Sequence, residues 1–116
     1  MNSLIKLNKI SKFFLTSKKI SVLKKIKFTF NLGKVYSIVG PSGSGKSTLL
    51  NILSLIDKPS SGNVYIDGKT INFINSSTND KIRAKKIGII YQQNNLLSDF
   101  TALENVYLAR LSLVNN

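Results

Sequence analysis

Residues 40–48 read Gly-Pro-Ser-Gly-Ser-Gly-Lys-Ser-Thr, and this stretch determines how the rest of the chain is interpreted. It fits the pattern G-x-x-x-x-G-K-[ST] of a phosphate-binding loop, or P-loop. The glycines permit backbone conformations closed to residues with a Cβ atom, so that successive amides can point at phosphate oxygens. Lys46 can reach the β- and γ-phosphates of a nucleotide, and the Ser47 hydroxyl can ligate Mg²⁺. We therefore predict a phosphate-binding site.

The residues on either side of the loop supply the context that the motif requires. Val35 to Val39 is nearly all apolar, which predicts a central strand covered on both faces. After the loop, Leu49, Ile52, Leu53 and Ile56 recur at the spacing of one buried helix stripe. A serine–glycine linker, the alternative interpretation, would not lie between a buried strand and an amphipathic helix. The pattern therefore favours phosphate binding.

The remaining pattern predicts an α/β fold with an antiparallel β subdomain. We expect strands over residues 4–10, 26–30, 63–66, 70–74 and 87–91, a tight turn at Asp67-Gly68, and a short basic helix over residues 81–86. Thr101 and Glu104 have the spacing of a capping box, which predicts that a further helix begins there. The predicted architecture is a three-layer P-loop core that is truncated.

Composition excludes several classes of chemistry. The chain has 116 residues, enough for one domain, and contains neither cysteine nor histidine. Disulfides, histidine-ligated zinc and histidine acid–base catalysis are therefore excluded. No apolar run is long enough to span a bilayer, and the N-terminus lacks the pattern of a signal peptide, so a cytoplasmic protein is expected.

The net charge of +12, from 17 Lys and Arg against 5 Asp and Glu, has two interpretations. It could attract nucleic acid or an anionic membrane. The lysines are instead dispersed, with no block longer than two, which is typical of a solvated surface in a lysine-rich composition. We expect no specific nucleic-acid partner.

Four stretches resemble the ATP-binding subunits of ATP-binding cassette (ABC) transporters. The run from Gly40 to Leu50 looks like their Walker A motif, and Pro59-Ser-Ser-Gly62 with Ile66-Asp-Gly68 resembles the turn and hairpin beyond it. Phe14 resembles the aromatic residue that stacks on adenine, Phe13 being the alternative. Ile90-Tyr91-Gln92 resembles the Q-loop.

The resemblance implies the cofactors ATP and Mg²⁺, with Ser47 and Gln92 as metal ligands. The implied nucleotide-binding residues are Phe14, Gly40, Pro41, Ser42, Gly43, Ser44, Gly45, Lys46, Ser47, Thr48 and Gln92.

Residues 95–106 narrow the resemblance to the lipoprotein-releasing subfamily, although macrolide and peptide export ATPases share much of the pattern. This resemblance implies that ATP binding and hydrolysis are coupled to the release of lipoproteins from the inner membrane. The implied location is peripheral, on the cytoplasmic face of that membrane. The implied partners are integral membrane subunits, which dock on Gln92 to Asn105, and a second ATP-binding subunit that completes a homodimer.

Residues 1–116 correspond to the N-terminal half of such a nucleotide-binding domain, with the helical subdomain starting near residue 101. In the family, a signature motif, a Walker B strand with its acidic residues and a switch histidine follow. The chain has none of them, and its single glutamate, Glu104, is assigned to a helix cap. We therefore expect an ATPase by family but no catalytic residue in this chain, which alone should be inactive. It is interpreted either as a fragment or split half of a transport ATPase or as a non-enzymatic nucleotide-binding remnant.

Overall fold

The computed structural model describes residues 3–114 and separates into two compact units, Met1–Ile74 and Asn75–Asn116. The first unit contains four strands and one helix, and the second contains two helices. In chain order these elements are β1 (Ser3–Leu15), β2 (Lys19–Asn31), α1 (Lys46–Leu53), β3 (Ser61–Ile66), β4 (Lys69–Thr70), α2 (Ser76–Lys86) and α3 (Ala102–Val114).

The sheet of the first unit is antiparallel throughout and has the strand order β2-β1-β3-β4. Strand β1 is central, so that Leu7 lies opposite Phe28 on one side and Val64 on the other. Strands β3 and β4 form the predicted hairpin, although β4 is limited to Lys69–Thr70 and residues 71–74, predicted to belong to it, form no strand. Both turn residues, Asp67 and Gly68, have positive φ angles, 51° and 77°, as the tight hairpin turn requires. The antiparallel β subdomain is therefore confirmed.

The core of the first unit lies where side chains of the sheet meet those of α1 and its C-terminal turn. Ile10 and Val64 of the sheet and Ile52 of α1 are fully buried. The predicted stripe is confirmed only in part: Ile52 is buried and Leu49 and Leu53 are half-buried, whereas Ile56 lies beyond the end of α1 and is 46% exposed. The buried apolar residues of the core are Leu7, Ile10, Leu23, Ile52, Leu55, Val64, Ile66 and Ile71.

Two predicted strands are absent, and these predictions were wrong for the chain as described. Residues 34–41 and 87–91 form no strand, although their sequences are apolar. Val35 and Val39 are 97% and 86% exposed, and Ile90 is fully exposed. A strand needs hydrogen-bond partners from a neighbouring strand, and within residues 3–114 no element pairs with either segment. The parallel sheet of a three-layer core is therefore not formed by these residues.

The second unit consists of α2 and α3, and each begins at a side-chain cap. The Asn75 side chain accepts a hydrogen bond from the Thr78 amide at 3.1 Å, which starts α2 earlier than predicted. At α3, the Glu104 amide donates to the Thr101 hydroxyl at 3.1 Å and the Thr101 amide donates to the Glu104 carboxylate at 3.3 Å. The capping box is confirmed. No helix among the described residues is long and apolar enough to cross a bilayer.

Candidate functional site

The loop that precedes α1 is shaped by two glycines in the left-handed region. Gly43 has a φ of 81° and Gly45 a φ of 95°. Between them the chain turns back on itself, and the Ser44 amide donates to the Pro41 carbonyl at 3.2 Å. Side chains with a Cβ atom rarely adopt these angles, so the motif needs glycine at both positions. The result is a compact turn of backbone at the start of the helix.

Gly45 also sets the distance between this loop and the sheet. It is the N-cap of α1, where its carbonyl accepts from the Leu49 amide at 3.0 Å. A Cβ atom at this position would lie 2.9 Å from Val22 Cγ1 and 3.2 Å from Leu23 Cδ2 of β2. The absence of a side chain therefore lets the helix N-terminus approach β2. No acidic residue lies in the first turn of α1, so its positive end is available to an anion.

Lys46 folds back across the loop. Its ammonium donates to the Gly40 carbonyl at 2.6 Å, the Pro41 carbonyl at 2.7 Å and the Ser44 hydroxyl at 3.3 Å. These three bonds match the three donors of an ammonium group and hold it beside the helix N-terminus. A cation and a helix N-terminus thus lie on the same loop, and the first turn of the helix carries no carboxylate. This set of groups fits a polyphosphate chain.

The structure gives the position of each remaining predicted ligand within its own unit. Ser47 is exposed in the first turn of α1, and Thr48 is half-buried beside it. Gln92 is exposed in the second unit, in a segment without helix or strand. Whether Ser47 and Gln92 share one metal ion stays a prediction, because they belong to different units. Residues 3–114 contain no group of three or more His, Cys, Asp or Glu that could hold a metal.

The two candidate stacking residues differ in their surroundings. Phe14 lies near the end of β1, is 42% exposed, and has the Lys12 ammonium 5.3 Å from its ring centroid. Phe13 is half-buried, and the Lys19 ammonium lies 4.4 Å from its ring centroid. Greater exposure favours Phe14 as a stacking platform, while the choice between the two stays a prediction.

An ion pair next to Phe14 was not predicted from the sequence. Lys12 is only 8% exposed, and its ammonium lies 3.0 Å from Asp57 Oδ2 in the turn after α1. The two residues are 45 positions apart. The alternation of β1 gives no sign of this contact, since a lysine among apolar residues is ordinarily interpreted as solvent-facing.

The predicted docking segment, Gln92 to Asn105, has a rigid end. The Asn105 side chain accepts from the Leu97 amide at 2.8 Å. It also donates to the carbonyls of Leu97 at 3.2 Å, Phe100 at 3.3 Å and Thr101 at 2.9 Å. One asparagine therefore fastens residues 97–101 to the first turn of α3. Leu96, Leu97 and Phe100 are exposed on this fastened loop.

This sequence and geometry define a class of protein. The family model for ABC transporters matches residues 23–116. The chain belongs to the ATP-binding family of ABC transporters. Its fold is the corresponding part of a P-loop NTPase domain: 93% of the chain superposes on a cassette structure with a TM-score of 0.87 at 43% identity.

Three similar relatives are each longer than the chain. The cassette just mentioned is MJ0796 of Methanocaldococcus jannaschii, described as bound to ADP and Pi, and its sequence is 45% identical over 106 residues. Those residues are 90% of this chain and 45% of MJ0796. The lipoprotein-releasing system ATP-binding protein LolD 1 of Chlorobium chlorochromatii is 42% identical over 112 residues, 95% of this chain and 46% of the relative. The macrolide export protein MacB of Pectobacterium atrosepticum is 43% identical over 105 residues, 90% of this chain and 16% of the relative. The chain thus spans about half the length of the single-cassette relatives.

Proposed function

We propose that the chain binds ATP through residues 40–48 as part of a transport ATPase. The observation that carries this proposal is the convergence of the Lys46 ammonium, the left-handed glycines and the N-terminus of α1 on one compact loop. The loop offers positive groups, and the negative charge of a triphosphate complements them. Gly40, Pro41, Ser42, Gly43, Ser44 and Gly45 provide the backbone of the loop, and Thr48 follows in the first turn of α1.

The proposed ligands of Mg²⁺ are Ser47 and Gln92, and the proposed contact of the adenine base is Phe14. The Ser47 hydroxyl, together with Gln92, offers hard oxygen ligands of the kind that Mg²⁺ prefers. Phe14 presents an exposed ring at the end of β1, suited to stacking on a base. Because a phenyl ring makes no hydrogen bonds to the base edges, preference for ATP over GTP should be small.

The Gln92 to Asn105 segment is proposed as the contact with integral membrane subunits. It presents exposed apolar side chains, Leu97 and Phe100, on a loop fixed by Asn105, with polar residues around them. An apolar centre with a polar rim suits a docking surface. The complete transporter would contain a second ATP-binding subunit and act at the cytoplasmic face of the inner membrane. Lipoprotein release is the proposed transport function, with macrolide or peptide export as the alternative.

A second candidate, nucleotide binding without hydrolysis, applies to the 116-residue chain on its own. Its single glutamate, Glu104, caps α3 through Thr101, and the chain has no histidine. Neither of these two usual general bases is therefore available at the loop, and hydrolysis is not proposed for the 116-residue chain alone. A chimera carrying the second half of the C. chlorochromatii relative should recover ATP hydrolysis. Steady ATP hydrolysis by the 116-residue chain itself, lost on Lys46→Ala, would contradict the proposal that this chain binds nucleotide without hydrolysing it.

Lys46→Ala tests nucleotide binding directly. Because hydrogen bonds to a charged group contribute about 1.5–3 kcal/mol, the variant should bind ATP roughly 10- to 150-fold more weakly. Titration calorimetry on the folded proteins measures this, with Lys69→Ala of β4, an exposed lysine outside the loop, as the matched control. Equal ATP affinity in wild type and Lys46→Ala would refute the proposal.

Docking is tested in the same chimera. Leu97→Asp should leave ATP hydrolysis unchanged and abolish copurification with the membrane subunits of the C. chlorochromatii system. The control is Val106→Asp, which places a carboxylate on an exposed apolar position of α3 outside the segment. If both variants copurify as well as the parent chimera, residues 92–105 are not the contact.

A further inference from the structure

Lys12 is a buried lysine whose ammonium is held in one place. It donates to Asp57 Oδ1 at 3.1 Å and to the Lys58 carbonyl at 2.7 Å, and it lies 3.0 Å from Asp57 Oδ2. These partners belong to the turn that follows α1. With 8% of its surface exposed, Lys12 has little freedom to leave them. The ion pair therefore joins the C-terminal part of β1 to the turn that follows the helix beginning at the P-loop.

The same ammonium lies over the ring of Phe14, 5.3 Å from the ring centroid. Residues two apart on a strand share a face of the sheet, which places Lys12 and Phe14 together. A cation attracts the π-electrons of a ring at this distance. A fixed ammonium thus restrains the orientation of the ring and occupies one of its two faces.

A second connection keeps this part of β1 in register with the same turn. The Ser60 amide donates to the Ser11 carbonyl at 2.8 Å, and the Phe13 amide donates to the Ser60 hydroxyl at 3.1 Å. Backbone and side-chain contacts therefore both tie residues 11–13 to residues 57–60. Because α1 is a short helix running from the P-loop to this turn, the ring of Phe14 is connected to the phosphate-binding loop through one rigid element.

We propose that Lys12 is a positioning residue for nucleotide binding: anchored by Asp57, it orients the Phe14 ring so that the base stacks on the face opposite the ammonium. Lys12 itself does not contact the nucleotide. The proposal rests on the function proposed above for Phe14 and the P-loop. It predicts that Lys12 affects recognition of the base and leaves recognition of the phosphates unchanged.

The test compares ATP with inorganic triphosphate, which has the phosphates and lacks the base. Affinities are measured by calorimetry on the 116-residue protein. Lys12→Met keeps the length of the side chain and removes its charge. It should weaken ATP binding about 3- to 5-fold, the size expected when a cation–π contact is lost, and leave triphosphate binding unchanged. Lys12→Arg should restore most of the ATP affinity, since it keeps the cation.

Two further variants separate a positioning role from a structural one. In a Phe14→Ala background, Lys12→Met should have no additional effect on ATP, because the ring through which it acts is gone. Lys19→Met, which removes the ammonium over Phe13, is the matched control and should change neither affinity. If Lys12→Met does not fold, Asp57→Ala replaces it, since it removes both carboxylate oxygens that hold the ammonium, and it should weaken ATP binding while leaving triphosphate binding unchanged.

Several results would overturn the inference. Lys12→Met could weaken ATP and triphosphate in the same proportion, its effect could add to that of Phe14→Ala, or Lys19→Met could be the variant that selectively weakens ATP. Failure of the proposed function has a different signature. In that case wild type binds neither ligand, or binds both equally with no effect of Phe14→Ala, and the positioning role falls with it.

Discussion

Gly45→Ala should destabilise the first unit far more than an alanine elsewhere in the same loop. The new side chain has to adopt a φ near 95°, which costs about 1–2 kcal/mol for a residue with a Cβ atom. Its Cβ would also lie 2.9 Å from Val22 Cγ1 and 3.2 Å from Leu23 Cδ2. Leu23 is buried and cannot swing into solvent, so overpacking adds about 1–3 kcal/mol. The expected total is about 2–5 kcal/mol.

Gly43→Ala is the matched control, because its φ is 81° and a Cβ there meets nothing within 4 Å. It should cost only the conformational part, about 1–2 kcal/mol. Urea unfolding followed by circular dichroism measures both losses, and each kcal/mol lowers Tm by roughly 4–8 °C in a domain of this size. Adding Val22→Ala should recover part of the loss in Gly45→Ala and none in Gly43→Ala. Equal destabilisation by the two glycine variants would refute the close approach of loop and strand.

Two further predictions concern other parts of the chain. Gly62→Ala should prevent β3 from pairing with β1, because the added Cβ would overlap the Lys9 carbonyl; loss of cooperative unfolding checks this, and Gly68→Ala, with open space around it, should stay cooperative. Thr101→Ala should destabilise the start of α3 by about 1 kcal/mol, since the Glu104 amide loses its acceptor; faster amide hydrogen exchange at Glu104, with α2 unaffected, is the expected readout.

Local features of the chain could be predicted from the sequence because their causes are local. The hairpin at Asp67-Gly68 needs only two residues that tolerate positive φ. The cap of α3 needs only the spacing of Thr101 and Glu104. Period-two alternation located β1 and β2, although pairing extends both strands to 13 residues, beyond the part where the alternation is regular.

Features that depend on distant segments could not be predicted in this way. An apolar run such as Val35 to Val39 predicts a buried strand. It does not identify the strands that would pair with it or the helices that would cover it. Within residues 3–114 no strand pairs with it, and every residue of the run except the half-buried Ile38 is exposed. The contact between Lys12 and Asp57 was missed for the related reason that its partners are far apart in sequence and meet only through the fold.

The hydrogen bonds of Lys46 make nucleotide binding a competition for a single ammonium group. A triphosphate can engage this cation only by drawing it away from the carbonyls of Gly40 and Pro41. The measured affinity then reflects the bonds that Lys46 makes to phosphate minus those that it loses to the loop. The two carbonyls that it leaves must accept hydrogen bonds from water instead. Mutation of Lys46 therefore alters both sides of the exchange. Methionine at this position fills the same space without donors, so comparing it with alanine separates loss of the ammonium from loss of side-chain volume.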